Sequence, residues 1–459
     1  MAQQLYFSRD TRLFIQFRNT TDQTNDVAGA GAVWEVPILD GYSFSQSTNT
    51  SEITLAEMES TAGISRRGRR MFTDSLAPAE WSFSTYVRPF DSKAGSAPTG
   101  IKAADSAAEV HAVEEALWAS MFGADTYSAA NGFTRATNAV SGPVITPAAT
   151  ETTILTTESN RSALHAITIY FVMDTAAGNP LVYKLPEAVV NEASIDFDVD
   201  GIALINWSGF AKEIIDFSGS VLVGIDPTPD DAVTTVDGTT IAAGDLIFDT
   251  SNANGSALYL AGASDGTDMT STQAIDEAIR STKNFIRNRI SQVSIDATNT
   301  TIFPGTGGNG EYSLVLTGGN FTISNNITYL VPEELGAVNK PLEHVTGTRT
   351  VTGSATCYLT LDDASLGTAG TSRQFFNDLV STQAMSQTVN EFSVVMKVGG
   401  ANATGTPALN ITMPKCHFEV PSHSIEDVIS LETSFHALPS DFGSANEITN
   451  LKYTAPAVY

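Results

Sequence analysis

Period-two alternation of apolar and polar residues dominates the chain and predicts short β-strands through most of its length. In SIDFDVDGI (194–202), Ile195, Phe197 and Val199 alternate with Asp196, Asp198 and Asp200. An extended backbone sends the apolar side chains to one face and the three carboxylates to the other. EWSFSTYVRPF (80–90) alternates in the same way, with Trp81 and Phe83 on one face and Tyr86 on the opposite one. These aromatics read as core and interface packing, as do Trp34, Trp118 and Trp207. The longest apolar run, LHAITIYFVM (164–173), is far short of the ~20 residues that span a membrane as a helix, and it reads as a buried strand.

Two segments carry helical spacing instead. From about Ser106 to Phe122, Val110, Val113, Leu117 and Met121 share one stripe, Ser106 and Glu109 have the spacing of a capping box, and Gly123 stands as C-cap. A shorter helix is predicted over 372–381, with Thr371 and Gln374 as its box and Phe375, Phe376, Leu379 and Val380 as its apolar side.

Around these helices the order of elements repeats. GYSFSQSTNTSEITL (41–55) resembles GGNFTISNNITYLVP (318–332), and EWSFSTYVRPF parallels VTGSATCYLTLDD (351–363). A helix follows in each case. LHAITIYFVMDT (164–175) then parallels NEFSVVMKVGGA (390–401), and SIDFDVDGIALINWSGF (194–210) parallels CHFEVPSHSIEDVISLETSFHAL (416–438). The pattern predicts an α+β, predominantly β chain: one unit over 1–210, a second over 284–459, and between them a connecting segment or small surface insertion over 211–283. DPTPDD (226–231) marks a turn in that segment, AGDLIFDT (243–250) a strand, and Thr272–Lys283 an amphipathic helix.

Charge changes the picture. The chain holds 51 Asp+Glu against 24 Lys+Arg, a net charge of −27, while charged residues make up only 16%. So acidic a protein is a poor binder of phosphate backbones and anionic membranes, which require Lys and Arg. Yet GISRRGRRMF (63–72) packs Arg66, Arg67, Arg69 and Arg70 into five positions. A nucleic-acid patch would have further basic residues and interleaved aromatics beside it, and a solvated loop is the plain alternative. The reading adopted is a loop that docks on an acidic surface of another subunit or ring, since arginine forks pair carboxylates and opposite charge sets register.

The acidic face of 194–202, with Glu432 in the second half, is the candidate functional face. In the second half Ser430, Glu432, Ser434 and His436 alternate with Ile429, Leu431, Thr433 and Phe435. Asp196, Asp198, Asp200 and Gly201 also match the opening of a calcium loop, but position twelve is Trp207 where a bidentate Glu is required. Of the six histidines only His417 and His423 are close, without a third ligand. GTGGNG (305–310) lacks the helix and Lys of a phosphate loop and reads as a hairpin turn. Cys357 and Cys416 are too few for a disulfide scaffold. No catalytic, cofactor or metal site is expected. MAQQLYFSRDTRLF has no basic stretch followed by an apolar one, so no signal peptide is expected, and the chain is expected to be made in a cytoplasm and to stay soluble there.

RGRRMFTDSLAPAEWSFSTYVRPF (67–90), INWSG (205–209), GGNFTISNNITYLVPE (318–333) and HFEVPSHSIEDV with HALPSD (417–441) resemble, in order, the major tail tube proteins of long-tailed siphophages related to bacteriophage T-five. The resemblance implies two tandem tail-tube-type β-sandwich or half-barrel units, each with one flanking helix. In that family three chains close a pseudo-sixfold β-barrel ring, and rings stack into a tube around a DNA conduit. This makes the acidic face with Asp196, Asp198, Asp200 and Glu432 the candidate lining of that channel, the alternative being outer surface. The implied partners are other copies of the chain, a tape-measure protein and tail-tip or terminator proteins, with double-stranded DNA passing unbound and no membrane contact. The place implied is the virion tail, assembled in the host cytoplasm, and the protein is no enzyme. Against the family, the inter-unit segment is long, Met71 stands where relatives tend to keep a basic residue, and no C-terminal immunoglobulin-like domain follows within the 459 residues. The rival reading is a β-rich glycan- or receptor-binding module with 211–283 as its recognition surface.

Overall fold

The computed structural model describes residues 6–17, 33–53, 70–91, 109–128, 132–135, 141–156, 164, 166–173, 180–224, 235–236, 239–240, 246–249, 257–261, 269–273, 284–305, 308–331, 340–360, 370–387, 389–399, 406–425 and 427–454. Among them the chain is predominantly β, as its alternation predicts. In the first half run β1 (Thr11–Phe17), β2 (Val33–Val36), β3 (Ser43–Ser45), β4 (Thr48–Ile53), β5 (Arg70–Leu76) and β6 (Ala79–Tyr86), then α1 (Glu115–Met121). β7 (Thr152–Ile154), β8 (Ile167–Met173), β9 (Leu181–Asp198) and β10 (Leu204–Ala211) follow.

The second half runs through β11 (Gln292–Ala297), β12 (Leu316–Ser324), β13 (Thr328–Leu330), β14 (Glu343–Val345) and β15 (Thr350–Tyr358) to α2 (Ser372–Leu379). It ends with β16 (Phe392–Gly399), β17 (Ala408–Phe418), β18 (Ser422–Ile425), β19 (Ile429–Ala437) and β20 (Asn450–Thr454).

The pairing is the same in both halves. One ladder joins β3–β6–β10–β9, and the matching ladder joins β12–β15–β19–β17. On the other side of each core, β1–β8–β9 corresponds to β11–β16–β17. The long strands β9 and β17 belong to both layers and change layer at a proline. Ile169 pairs with Leu185 but Ile167 with Ala188, so the register slips at Pro186–Glu187, where Glu187 has φ 52°. Val394 pairs with Met413 but Phe392 with Cys416, a slip around Pro414. A residue without an N–H fits where the ladder is interrupted.

Between the layers lie the aromatic side chains. Phe44, Phe83 and Tyr183 gather on Phe171 or its neighbours in the first half; Phe303, Tyr312, Phe375 and Phe418 surround Phe392 in the second. Trp34, Trp81, Trp118 and Trp207 are all buried, as expected of core residues. Cys357 and Cys416 are buried free thiols, and burial pushes them up to about 11 and about 12.

The two halves meet in one continuous ladder, because β9 pairs antiparallel with β12 from Glu192↔Ser324 to Asp198↔Gly318. Beyond its end, Ile327 N–H donates to Asn191 Oδ1 (2.8 Å) and Asn325 Nδ2 donates to the carbonyls of Met121 (3.1 Å) and Val190 (3.3 Å). β20 bridges the outer layer, lying between β17 and β7.

The second predicted helix is present: Thr371 Oγ1 caps α2 by accepting from Gln374 N–H (3.3 Å). The first is corrected. Val110–Ala112 is a strand paired with Pro89–Asp91, and helix α1 begins only at Glu115, without a side-chain cap. Ser106 lies outside the described residues. The stripe misled because every residue from Val110 to Ala124 is buried, so apolar spacing there marks enclosure rather than an amphipathic helix. In the connecting segment Val221–Gly224, Leu246–Asp249, Ala257–Ala261 and Met269–Gln273 form a ladder that pairs parallel with β2 and so extends the outer layer. Thr272 and Gln273, expected to open a helix, belong to its last strand; 274–283 lie outside the described residues.

A buried polar chain holds β20 against α1. Trp118 Nε1 donates to Tyr453 Oη (2.7 Å), and Tyr453 Oη donates to Glu114 Oε1 (2.6 Å). Burial raises the Glu114 carboxyl from 4.5 to about 7 against the opposing pull of Tyr453 and Arg88. The folded protein therefore keeps this proton to about pH 7, whereas the unfolded chain releases it near 4.5. Its stabilising contribution is complete below pH 4.5 and is lost as pH rises through 7. Replacing Glu114 with Gln should flatten the decline of stability across that window by on the order of 2 kcal/mol, read as a smaller drop in melting temperature between pH 5 and 8.

Candidate assembly edges and polar sheet face

With β18 paired to β19, the inner ladder is eight strands wide: β3–β6–β10–β9–β12–β15–β19–β18. One face is the core. On β10, Ile205, Trp207, Gly209 and Ala211 are buried while Leu204, Asn206, Ser208 and Phe210 are not, and the neighbouring strands alternate likewise. The other face is a lawn of hydroxyls, amides and carboxylates joined across strands. Ser84 Oγ donates to Asn206 Oδ1 (2.6 Å) and Asn206 Nδ2 to Asp196 Oδ2 (2.9 Å). Thr322 Oγ1 donates to Ser194 Oγ (3.1 Å), and Ser354 Oγ to Asn320 Oδ1 (3.1 Å).

Asp196 and Asp198 stand exposed on this face of β9, and Glu432 on the same face of β19, as the alternation predicts. The face carries two carboxylates that sequence reading passed over, Glu80 on β6 and Glu192 on β9; their alternation with buried Trp81 and Ala193 was the available signal. No Lys or Arg occupies these outward positions of the eight strands among the described residues. Asp200 does not share the strand face: β9 ends at Asp198, and Asp200 sits in the β9–β10 turn, its side chain 92% exposed and 3.9 Å from Arg289. Asp196 and Asp198 extend along a strand rather than curling into a cation loop.

His417 and His423 are not brought together. His417 pairs across from His436 on the polar face, where His436 Nε2 lies 3.6 Å from Glu419. His423 pairs across from buried Leu431, on the core side, and meets the Phe376 ring edge-on at 4.7 Å. GTGGNG ends the 298–310 connection between β11 and the strand Glu311–Ser313, which pair antiparallel; Thr306 and Gly307 within it lie outside the described residues.

At one end of the sheet two hairpin arms project. Ala77 N–H donates to the Ser47 carbonyl (2.9 Å), so the β3–β6 pair runs on into β4–β5; β13–β14 continues β12–β15 in the same way. The first arm is exposed on both faces, with Met71 59% and Phe72 52% accessible. Its ladder ends at Ile53↔Arg70. Arg70 thus opens β5, while Arg66, Arg67 and Arg69 fall in the 54–69 stretch outside the described residues. At the opposite end lie the β9–β10 and β18–β19 turns, with Asp200 and Asp427 exposed. β3 and β18 pair on one side each among the described residues, leaving both borders of the ladder as open edges.

No family model matches the chain. Its sequence is nevertheless similar along almost its full length to a phage tail tube protein, and the chain is a structural subunit of a bacteriophage tail tube. The relative is the tail tube protein pb6 of Escherichia phage T5, 26% identical over 443 residues, an alignment covering 96% of this chain and 75% of pb6. That similarity supports a T5-related tail tube protein.

Because the polar face is solvated, Asp196→Asn, Asp198→Asn and Glu432→Gln should each change stability by no more than about 0.5 kcal/mol. Ile195→Asp, one residue away but facing the core, should cost over ~3 kcal/mol in the same denaturation experiment.

Proposed function

We propose that three copies of the chain close a ring through their inner ladders, and that rings stack into a hollow tube conducting DNA from the capsid to the host cell. The carrying observation is the eight-stranded ladder whose two short borders, β3 and β18, pair on one side only among the described residues; an unpaired border can accept a strand of another chain, and closure removes both. The two halves, 1–210 and 284–459, act as tandem units, and 211–283 extends the outer layer. Three ladders of eight strands make a 24-stranded barrel. At ~4.8 Å between strands and ~40° tilt its backbone diameter is roughly 50 Å, wide enough to pass a duplex.

In this arrangement the polar face lines the bore. Asp196, Asp198 and Glu432 meet the DNA, and Asp200 stands at the rim. Carboxylates repel a backbone carrying a charge every ~1.7 Å of axis. Hydroxyls without a basic neighbour give phosphates no ionic anchor, so DNA slides without specific binding. The first arm of each copy carries Arg66, Arg67, Arg69 and Arg70 toward the acidic turns of the adjacent ring, where opposite charge offsets repulsion between copies of net charge −27. The other partners are a tape-measure protein and tail-tip or terminator proteins. The place is the virion tail, after assembly in the host cytoplasm. The role is architectural, without enzymatic chemistry.

Negative-stain electron microscopy of the concentrated protein at moderate salt tests the reading: threefold rings or hollow tubes are expected, and a chain that stays monomeric when supplied with preformed tail tips overturns it. Neutralising all four arginines should leave the melting temperature unchanged and reduce tube formation at least tenfold. Normal tubes from that variant at physiological salt would refute the docking role.

A further inference from the structure

The two open edges are counterparts of the two edges already joined inside the chain. Pro186 and Pro414 interrupt β9 and β17 at matching places, 228 residues apart. The same interval separates Ile195, opposite Ile205, from His423, opposite Leu431, and Asp196, opposite Leu204, from Ser424, opposite Ser430. β18 is therefore the second-half version of the outer stretch of β9. On the other border, Phe44 lies opposite Trp81 as Phe321 lies opposite Gly353, which makes β3 the first-half version of β12.

Inside the chain these edges meet with Ile195 opposite Phe321, Asp196 opposite Asn320 and Phe197 opposite Gly319. The contact buries its apolar side fully: Ile195 is 1% and Phe197 5% exposed. The counterpart of Phe197 is Ile425, which is 79% exposed. The counterpart helices differ in the same sense. All of α1 is buried, with Asn325 and Tyr453 of the second half bonded to it, whereas α2 and the segment after it leave Val380, Met385 and Val389 exposed, as Val420 is. What the second half covers in the first, no described residue of the single chain covers in the second.

We infer that β18 of one copy pairs antiparallel with β3 of the next in the register of the internal β9·β12 seam, setting Ser424 opposite Ser43, His423 opposite Phe44 and Ile425 opposite Tyr42. The inference rests on the proposed ring and specifies its contact. The occupant is a second copy of this chain, because the matching edge and the covering surface exist on the chain itself. Pairing closes His423 between Phe376 of its own chain and Phe44 of the neighbour, in the slot that Ile195 fills internally.

Paired cysteines test the register. Ser43 and Ser424 lie at opposite borders of the ladder, seven strand spacings or about 34 Å apart along it, so a disulfide between them joins two chains. Oxidising assembled Ser43→Cys/Ser424→Cys protein should give covalent three-chain species on a non-reducing gel. Ser45→Cys/Ser422→Cys should do the same, and serves if the first pair assembles poorly. The off-register pair Ser43→Cys/Ser422→Cys should yield at least tenfold less. Tubes that form normally while the in-register pairs stay unlinked, or link no better than the off-register pair, overturn the register and leave the tube standing. Wild-type protein that never assembles overturns the ring, and this contact with it. His423→Asp, whose side chain is exposed in the single chain, should leave the melting temperature unchanged and abolish tubes; unimpaired tubes would also overturn the inference.

Discussion

Seven consecutive pairs between β9 and β12 turn two half-sheets into one, and the rest of the chain is arranged to keep those pairs in register. Gly319 has no side chain because the Ser354 carbonyl and Phe197 occupy the place: a Cβ there would collide with Ser354 O and stand 2.7 Å from Phe197 Cε2. Asn191 and Asn325 fasten the end of the ladder, and α1 is pressed beneath it by Asn325 from one side and Tyr453 from another. Loss of any one of these polar ties costs on the order of 1–3 kcal/mol, because each partner is left buried and unpaired. Since the carbonyls and N–H groups of β9 are committed to β12, the first half has no acceptor for another chain on that side, and the second half inherits the open edge.

The polar face follows a different constraint. A sheet packed on one side and wet on the other is ordinary for an antiparallel fold. Here, however, the wet side is furnished with serine, threonine and asparagine rather than the lysine–glutamate mixture of most protein surfaces. Short hydroxyls satisfy one another across strands, as Ser84, Asn206 and Asp196 do, and lie flat. Long charged side chains would reach out and bind ions. Arg70, the described member of the dense basic cluster, opens β5 in the first arm and not in this face.

Much of this was legible beforehand. Alternation identified the right faces over 194–198 and 430–437, and the similarity of 41–55 to 318–332 aligned strands that prove to be topological equals. The resemblance to tail tube proteins agrees with the similarity to pb6. The helix at 106–122 was misread because spacing rules assume one wet face, and 110–124 has none. Asp200 was placed one pleat too far, since nothing in DFDVDG says where pairing with the next strand stops. Strand partners were hidden for a more general reason. Alternation tells which side of a strand is apolar, but edge-to-edge order depends on long-range closure that a local pattern does not encode.

The continuity of the inner ladder across the two halves has a geometric consequence. The angle at which β9 meets β12 is fixed when a single chain folds, before any neighbour is encountered. If the joints between chains copy that joint, each subunit carries a gauge of the bore within itself. Ring size is then decided by folding, and assembly only repeats it. A substitution at the internal joint would thereby alter the calibre of the whole tube, including joints it never touches.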